Sequence, residues 1–439
     1  MYICLKISKI QGGKCMDVFS EKVTALKGIK LHVIPTDKFK TNTIVFKMKA
    51  PLNKTDVTKR ALLPHVLQSN SNKYRTTAKL RSYLDELYGA MFYVDLSKKG
   101  EYHVISLTIE VANEKFLSQS PPLLQKAFEF LSEVIKNPHV NESSFDPTTV
   151  ENEKRSLKQR IQSIYDDKMK YSSFRLIQEM CKDEPYALNV HGQLEDVETI
   201  TAANLYEYYQ QALSEDELDL YVVGDVNSEE VAKTAGQLMD FAEHKAKTID
   251  RKTVKDKSDV KEIKEAQDVK QGKLNIGFRT NVLYGDEDYY AIQVYNGIFG
   301  GYSHSKLFIN VREKASLAYY VASRLESHKG LMLVMSGIDN KNYEQAVSII
   351  KEQIKAMNNG DFTEDEISQT KAVIKNQLLE TIDTSRGIVE ILYHNVVSQE
   401  NISLDDWISK MDKVSRADII KVANNIELDT IYFLTEGGQ

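Results

Sequence analysis

ELDLYVVGDV, residues 217–226, reads as a buried strand: an acidic start, an apolar run, then Gly-Asp to turn the chain. The same opening returns as ELDTIYFLTEG, residues 427–437. What precedes each strand matches as well. FDPTTVENEKRSLKQRI (145–161) and DVETITAANLYEYYQQAL (196–213) lead into the first; FTEDEISQTKAVIKNQLLETI (362–382) and MDKVSRADIIKVANN (411–425) lead into the second. The order is the same each time: acidic helix start, long helix, short capped helix, strand. Glu-Leu-Asp at 217–219 recurs at 427–429, an offset of 210, and Phe145 has its counterpart at Phe362, an offset of 217. Four elements in one order at a near-constant offset argue for a duplicated unit rather than chance likeness between amphipathic helices.

Both halves open with strands. LHVIPTD and TNTIVFKMKAP alternate apolar and polar residues, as does EYHVISLTIEVA, with LMLVMSGID as the equivalent in the second half. TAKLRSYLDELYG, PLLQKAFEFLSEVIK and EQAVSIIKEQIKAM place apolar residues at i, i+3, i+4 and i+7, the helical period. Strands and helices in blocks, without strict βαβ alternation, predict an α+β fold: two homologous domains, each a mostly antiparallel sheet with helices on one face. From about residue 244 to 270 mixed charges dominate and apolar content falls too low to anchor a core. The expected organisation is therefore an N-terminal domain over 17–243, a charged linker over 244–270 and a C-terminal domain over 271–439.

The 439-residue chain is 42% apolar and 27% charged with a net charge of −6, which gives no electrostatic reason to expect nucleic acid or an anionic membrane as partner. No apolar run approaches the roughly 20 residues of a membrane span. The opening MYICLKISKIQGGKC is too weakly apolar for a secretory signal and shows no obvious structure before Met16, so an erroneous upstream start is one reading of it. Cys4, Cys15 and Cys181 are an odd number at unpatterned spacing, which leaves one disulfide or a reactive thiol open; the plain reading is three reduced thiols in a cytoplasmic protein.

YNGIFGGYSHSKLFINVREKASLAYYVASRL, residues 295–325, carries a family resemblance. Its glycine pair, Ser/Leu-Phe helix and Arg-Glu-Lys-x-x-Leu-Ala-Tyr segment resemble the M16 (insulinase/pitrilysin) metallopeptidases in their two-repeat, processing-peptidase form. The likeness covers nearly the whole chain from about residue 17 and implies a LuxS/processing-peptidase metalloenzyme-like fold. It also implies that Gly300 and Gly301 match the family's glycine pair and that Arg312 and Tyr319 match the pair that holds and polarises bound substrate.

The zinc motif of that family is missing. Where an active member carries His-x-x-Glu-His, this chain reads Ala61-Leu-Leu-Pro64-His65. Two ligands at i and i+4 share a helix face, with a general-base Glu beside them. Ala61 offers no ligand, Pro64 no base, and only His65 survives. The family's third ligand, a Glu seven residues after another Glu, falls on Arg160, counted from Glu153. A guanidinium repels the divalent ion it replaces. The separation from His65 to Arg160 is longer than the family's usual gap, with insertions expected around LSQSPPLLQ and HVNESSFDP. No two of the nine histidines lie within five residues of each other, so no helical His pair offers a substitute site. Pro64 predicts either a kink or a helix that starts near Leu63. His65 itself reads as a packed or hydrogen-bonded helix residue.

These residues predict no catalytic group, no metal and no cofactor. Arg312 and Tyr319 lie seven apart, on two turns of one helix or its exit; they serve either as a peptide-contact pair or as a helix cap and a core tyrosine. The glycine pair permits positive φ and close backbone approach, as part of a loop over a cavity or as a plain turn. The resemblance implies a catalytically inactive subunit that pairs with an M16 sibling carrying the intact zinc motif and helps to form a peptide-binding chamber. Among relatives, it looks most like a Gram-positive group associated with aminopentanol modification of elongation factor P. The alternatives are an active peptidase with a non-standard site and a homodimeric peptide-binding scaffold.

Overall fold

A computed structural model of the chain describes residues 4–11, 14–119, 121–249 and 259–437. In chain order the elements of the first half are β1 (Cys4–Gln11), β2 (Lys14–Leu26), β3 (Ile29–Pro35), β4 (Thr41–Pro51), α1 (Val57–Ser69), α2 (Thr77–Glu86), β5 (Met91–Lys99) and β6 (Tyr102–Ala112). They continue with α3 (Leu123–Lys136), β7 (Val140–Asn141), β8 (Ser144–Phe145), α4 (Pro147–Asp166), α5 (Lys168–Met180), α6 (Leu194–Val197), α7 (Ala202–Glu215), β9 (Glu217–Gly224) and α8 (Ser228–Leu238). The second half holds β10 (Lys261–Gln267), β11 (Gly272–Arg279), α9 (Tyr289–Asn296), β12 (Ala318–Glu326), β13 (Leu331–Ile338) and α10 (Tyr343–Asn359). It ends with α11 (Glu364–Thr381), α12 (Ser385–Ser398), α13 (Leu404–Lys413), α14 (Arg416–Ala423) and β14 (Glu427–Glu436).

The duplication is visible in the strand order. The first sheet runs β1-β2-β3-β9-β4-β6-β5 and the second β10-β14-β11-β13-β12. Removing β1 and β2 leaves two sheets of identical pairing: one parallel pair (β3 with β9, β10 with β14), then three antiparallel ones. The two Glu-Leu-Asp sequences open equivalent strands, β9 and β14. Phe145 and Phe362, both buried, precede the equivalent helices α4 and α11.

Two compact units result. Unit 1 takes the described residues to Gln162, Leu188–Ile249 and Ile382–Tyr393; unit 2 takes Ser163–Ala187, the described residues from 259 to Thr381, and those from His394 onward. Each unit thus includes a segment that belongs, in chain order, to the other half, so its residues do not follow the 17–243 and 271–439 boundaries. In unit 1, β4 is buried along almost its whole length because both of its faces are covered. Ile44, Phe46 and Met48 pack into a core with α1, α3 and α7, where a fully buried Phe such as Phe128 contributes on the order of 2–3 kcal/mol. On the opposite face the Lys47 ammonium lies 4.4 Å from the centre of the Tyr393 ring, and Thr43 hydrogen-bonds Ser385 at 2.9 Å. In unit 2, α5 packs Leu176, Ile177 and Met180 on Leu331, Leu333, Tyr432 and Leu434, while the other face of the sheet carries the main core. The expectation of helices on one face alone is therefore extended: each sheet has a covered second face.

Two further expectations change. The 244–270 linker is not irregular to its end, because Lys261–Gln267 forms β10 beside β14. Its exposed edge position tolerates the charges that made it read as linker. The segment before Met16 carries strand structure, β1 paired antiparallel with β2; a bulge between Ile7 and Ser8 breaks the alternation that would have announced it. Of the expected insertions, the second forms the small β7–β8 hairpin. Among the described residues no helix is long and apolar enough to cross a membrane.

Candidate functional site

In unit 1, α1 is buried on nearly every side: Val57, Thr58, Arg60, Ala61, Leu62, Leu63, Pro64, Val66 and Leu67 all lie inside. His65 is one of the few half-buried positions, so it sits where the helix turns away from the core. The helix runs through Pro64 from Val57 and does not begin near Leu63, which settles the choice left open by the sequence. Packing of the surrounding apolar residues outweighs the lost hydrogen bond to residue 60.

α1 and α4 lie side by side and antiparallel. Ser69 Oγ donates to Glu153 Oε1 at 2.8 Å, and Asn70 Nδ2 to Thr149 Oγ1 at 2.7 Å, so a step forward on one helix is a step back on the other. With a rise of about 1.5 Å per residue, His65 and Ala61 stand about 6 and 12 Å from Ser69, and Arg160 about 10 Å from Glu153. Arg160 is thus level with the interval between Ala61 and His65, and its charge is felt at His65.

The structure also adds a residue that the sequence reading missed. His191 lies on the loop before α6. Gly192 has φ +83°, and a Cβ there would fall 2.4 Å from Thr58 Oγ1. Gln193 N donates to that same Oγ1 at 3.1 Å, which pins the loop against the first turn of α1. Burial, and then the charges of Arg160 and His191, hold the His65 pKa down at about 4. Burial and Arg160 also lower His191, against a weaker opposing pull from Asp95. The Nδ1 of His191 is buried without a hydrogen-bond partner. Deeper still, the fully buried His103 on β6 has neither ring nitrogen hydrogen-bonded, and burial, Arg60, His191 and Lys98 keep it neutral.

A zinc ion does not fit these residues. The two imidazoles feel the charge of a guanidinium, which repels a divalent ion. Among the described residues no group of three or more His, Cys, Asp and Glu is gathered so as to hold a metal.

The other predicted residues lie in unit 2. Gly300 and Gly301 fall in a π-helical turn, Gly297–Gly301, with φ in the ordinary range, not in a loop at positive φ. Space explains Gly300: a Cβ would meet Ser323 Oγ at 2.6 Å and Leu307 Cδ1 at 2.7 Å. Arg312 lies in a second π-helical stretch, Phe308–Lys314, exposed, with its guanidinium 4.6 Å from the centre of the Phe308 ring. Among the described residues no carboxylate pairs with it. Ser316, at φ +53°, turns the chain out of that stretch into β12. Tyr319 is the extra residue of a bulge between the Ala318–Ile338 and Tyr320–Gly337 pairs and is 67% exposed, so it is not a core tyrosine. Bulges and π-turns both re-aim side chains and gather at functional sites. Arg312 and Tyr319 therefore leave one on a helical turn and the other on an edge strand, both open to solvent.

Fold and repeat together are those of a metallopeptidase-type protein with no metal-ligand set gathered among the described residues. A family model described as the peptidase M16 inactive domain matches residues 199–374. The chain is 55% identical over 412 residues to the "Probable inactive metalloprotease YmfF" of Bacillus subtilis, a match covering 93% of this chain and 97% of that protein. It belongs to the peptidase M16 family and is an inactive M16 peptidase-like protein. The crystal structure of a conserved protein from Enterococcus faecalis V583 superposes with a TM-score of 0.88 at 36% identity, covering 95% of this chain and 99% of that one. The mitochondrial-processing peptidase subunit beta of Saccharomyces cerevisiae is 22% identical over 323 residues, 69% of this chain and 68% of that protein.

Proposed function

We propose that this chain is the non-catalytic partner of a zinc-bearing M16 sibling in the cytoplasm, and that it helps to line a chamber in which a peptide is held for the sibling to cut. The observation that carries this reading is Arg160, level with Ala61 and His65, where catalysis would need a metal ligand. Arg312 and Tyr319 support the gripping role: one offers an exposed guanidinium with no acidic partner among the described residues, the other a hydroxyl carried into solvent by a bulge. The beta chain of the yeast processing peptidase is itself named a subunit, which supports an assembly of related chains. The substrate of the pair is the point at which a link to elongation factor P modification would enter.

Affinity purification of the tagged chain from its own cells tests the pairing. The expected result is a co-purifying M16 chain of similar size with His-x-x-Glu-His. Recovery of the tagged chain alone, as a homodimer under conditions that preserve weak complexes, contradicts it. With the pair in hand, Arg312→Ala lowers the rate of peptide processing while this chain stays folded; an unchanged rate removes Arg312 from the gripping role.

A further inference from the structure

Unit 1 carries a cavity at the start of α1. It encloses about 480 Å³ between that end of the helix and the turn from α6 to α7. Two ammonium groups line it: Lys54, just before the helix, and Lys59, in its first turn. Neither is paired with a carboxylate among the described residues, which sets them apart from the lysines nearby. Lys154 reaches Glu151 at 2.9 Å, and Lys158 pairs with Glu198. The chain as a whole holds 63 acidic residues against 57 basic ones, so two unmatched cations in one cavity run against its balance. Asp56, between them in the chain, is not part of the lining. Asp196 is, and one of its oxygens is taken: Thr58 Oγ1 donates to Oδ2 at 3.0 Å.

The walls are set before anything enters. Buried Thr58 also accepts from Gln193 N at 3.1 Å, so it ties α1 to the loop before α6. On the other side the Ile200 carbonyl accepts from Lys154 Nζ at 2.9 Å, and the buried Ile200 side chain gives an apolar floor. A site arranged in advance loses less freedom on binding. Lysine ammonium groups are compact point charges with three donors each, suited to a tetrahedral oxyanion, whereas a flat carboxylate is matched by the fork of arginine. Two of them balance the charge of a phosphate monoester, about −1.5 to −2 at neutral pH. Thr55 adds a hydroxyl to the same wall. Asp196 repels phosphate and so directs it to the lysine side, while its other oxygen is an acceptor for a hydroxyl of the ligand. The cavity has the size of a small-molecule site, of which a phosphate alone would fill only a part. We propose that it binds a small phosphate monoester whose organic body carries hydroxyl groups, with the phosphate on Lys54, Lys59 and Thr55, a hydroxyl on Asp196 and the body over Ile200.

Isothermal titration calorimetry of the full chain at constant ionic strength tests this with ribose 5-phosphate, inorganic phosphate and ribose. Ribose 5-phosphate should bind at about one per chain, more tightly than inorganic phosphate, and ribose alone should give no saturable heat. Lys54→Gln and Lys59→Gln should each weaken ribose 5-phosphate by about tenfold or more, as the loss of a hydrogen bond between charged groups requires. Lys79→Gln, which removes an exposed lysine on α2 outside the cavity, should leave the affinity unchanged. Asp196→Asn should narrow the gap between ribose 5-phosphate and inorganic phosphate, because the repelling charge is gone for both and the acceptor is weakened for one. Circular dichroism confirms that each variant is folded; Lys54 is exposed and Lys59 half-buried, so neither replacement opens the core. No saturable binding of ribose 5-phosphate at millimolar concentration overturns the site, as does a loss in Lys79→Gln equal to that in the cavity variants. Inorganic phosphate binding as tightly as ribose 5-phosphate overturns the place assigned to the organic body.

Discussion

His32, on β3, ties the stability of unit 1 to pH. Its ring is buried, 2.7 Å from Glu21 Oε1 at one nitrogen and 3.1 Å from Asp219 Oδ1 at the other, and it stacks on Tyr221 with centroids 4.2 Å apart. Burial alone would drive the proton off; hydrogen bonds to Asp219 and Glu21 and their charges overcome it, and the pKa rises to about 9. The folded state therefore holds a proton that the unfolded chain, at about 6.5, has released. The resulting stabilisation is complete below pH 6.5 and is lost as pH climbs toward 9. Lys47 acts in the opposite sense: burial brings its pKa down to about 8, so above pH 8 the folded state sheds a proton that the unfolded chain keeps, and stability recovers. Between pH 6.5 and 8 the His32 contribution should fall by about 1.5 kcal/mol. His65, His103 and His191, held neutral in the fold, oppose this over the same range, so the contribution is read as the difference between wild type and His32→Gln, in which they cancel. Urea unfolding followed by far-ultraviolet circular dichroism at both pH values measures this. The stability deficit of His32→Gln should be larger at pH 6.5 than at pH 8 by that amount; a deficit that is the same at both pH values refutes the reasoning.

From about pH 7.5 downward the lowered pKa values of His65, His103 and His191 give the opposite slope, because the unfolded chain binds protons that the folded site refuses; the two trends cross and stability should peak near pH 7, as the same titration extended to pH 4.5 will show. Arg60→Met should cost about 3–5 kcal/mol in urea unfolding. It strands the buried Asp216, now 2.6 Å from the guanidinium, and leaves Met48 O and His103 O without their donor; adding Asp216→Asn should restore part of the loss. Gly300→Ala should cost about 1–3 kcal/mol by overpacking against Ser323 and Leu307, and melting temperature reads it. Arg312→Ala, at an exposed position, should stay within about 0.5 kcal/mol of wild type.

Much of the fold was open to reading because its signals are local. The alternation in β4 and β6 and the helical period of α2, α3 and α10 come from one-sided burial, which sequence records directly. The repeat was legible because each half had to bury the same strand behind the same helices. Other features depend on partners far along the chain. Nothing in KEIKEAQ marks β10, since an exposed edge strand paired with β14 needs few apolar residues. The exchange of segments between units is equally silent: α5 and the start of α12 carry amphipathic patterns that say they are covered, not by which sheet. At the candidate site, Ala61, Pro64, His65 and Arg160 are named from motif spacing alone. His191 is not, because an isolated His before a Gly has no ligand pattern, and only the contact of Gly192 with Thr58 places its loop beside α1. Tyr319 was legible as a residue but not as the apex of a bulge, a shift of register that shows only when β12 is paired with β13.

The claim on which the account rests is that the helix pair α1–α4 has exchanged a metal for a cation. Zinc content of the purified chain, measured by mass spectrometry after equilibrium dialysis against zinc and then buffer, tests it most directly. The account predicts no zinc retained through His65, so that wild type and His65→Ala carry the same trace amount. About one zinc per chain in the wild type, lost in His65→Ala and accompanied by chelator-sensitive peptide cleavage, would contradict it.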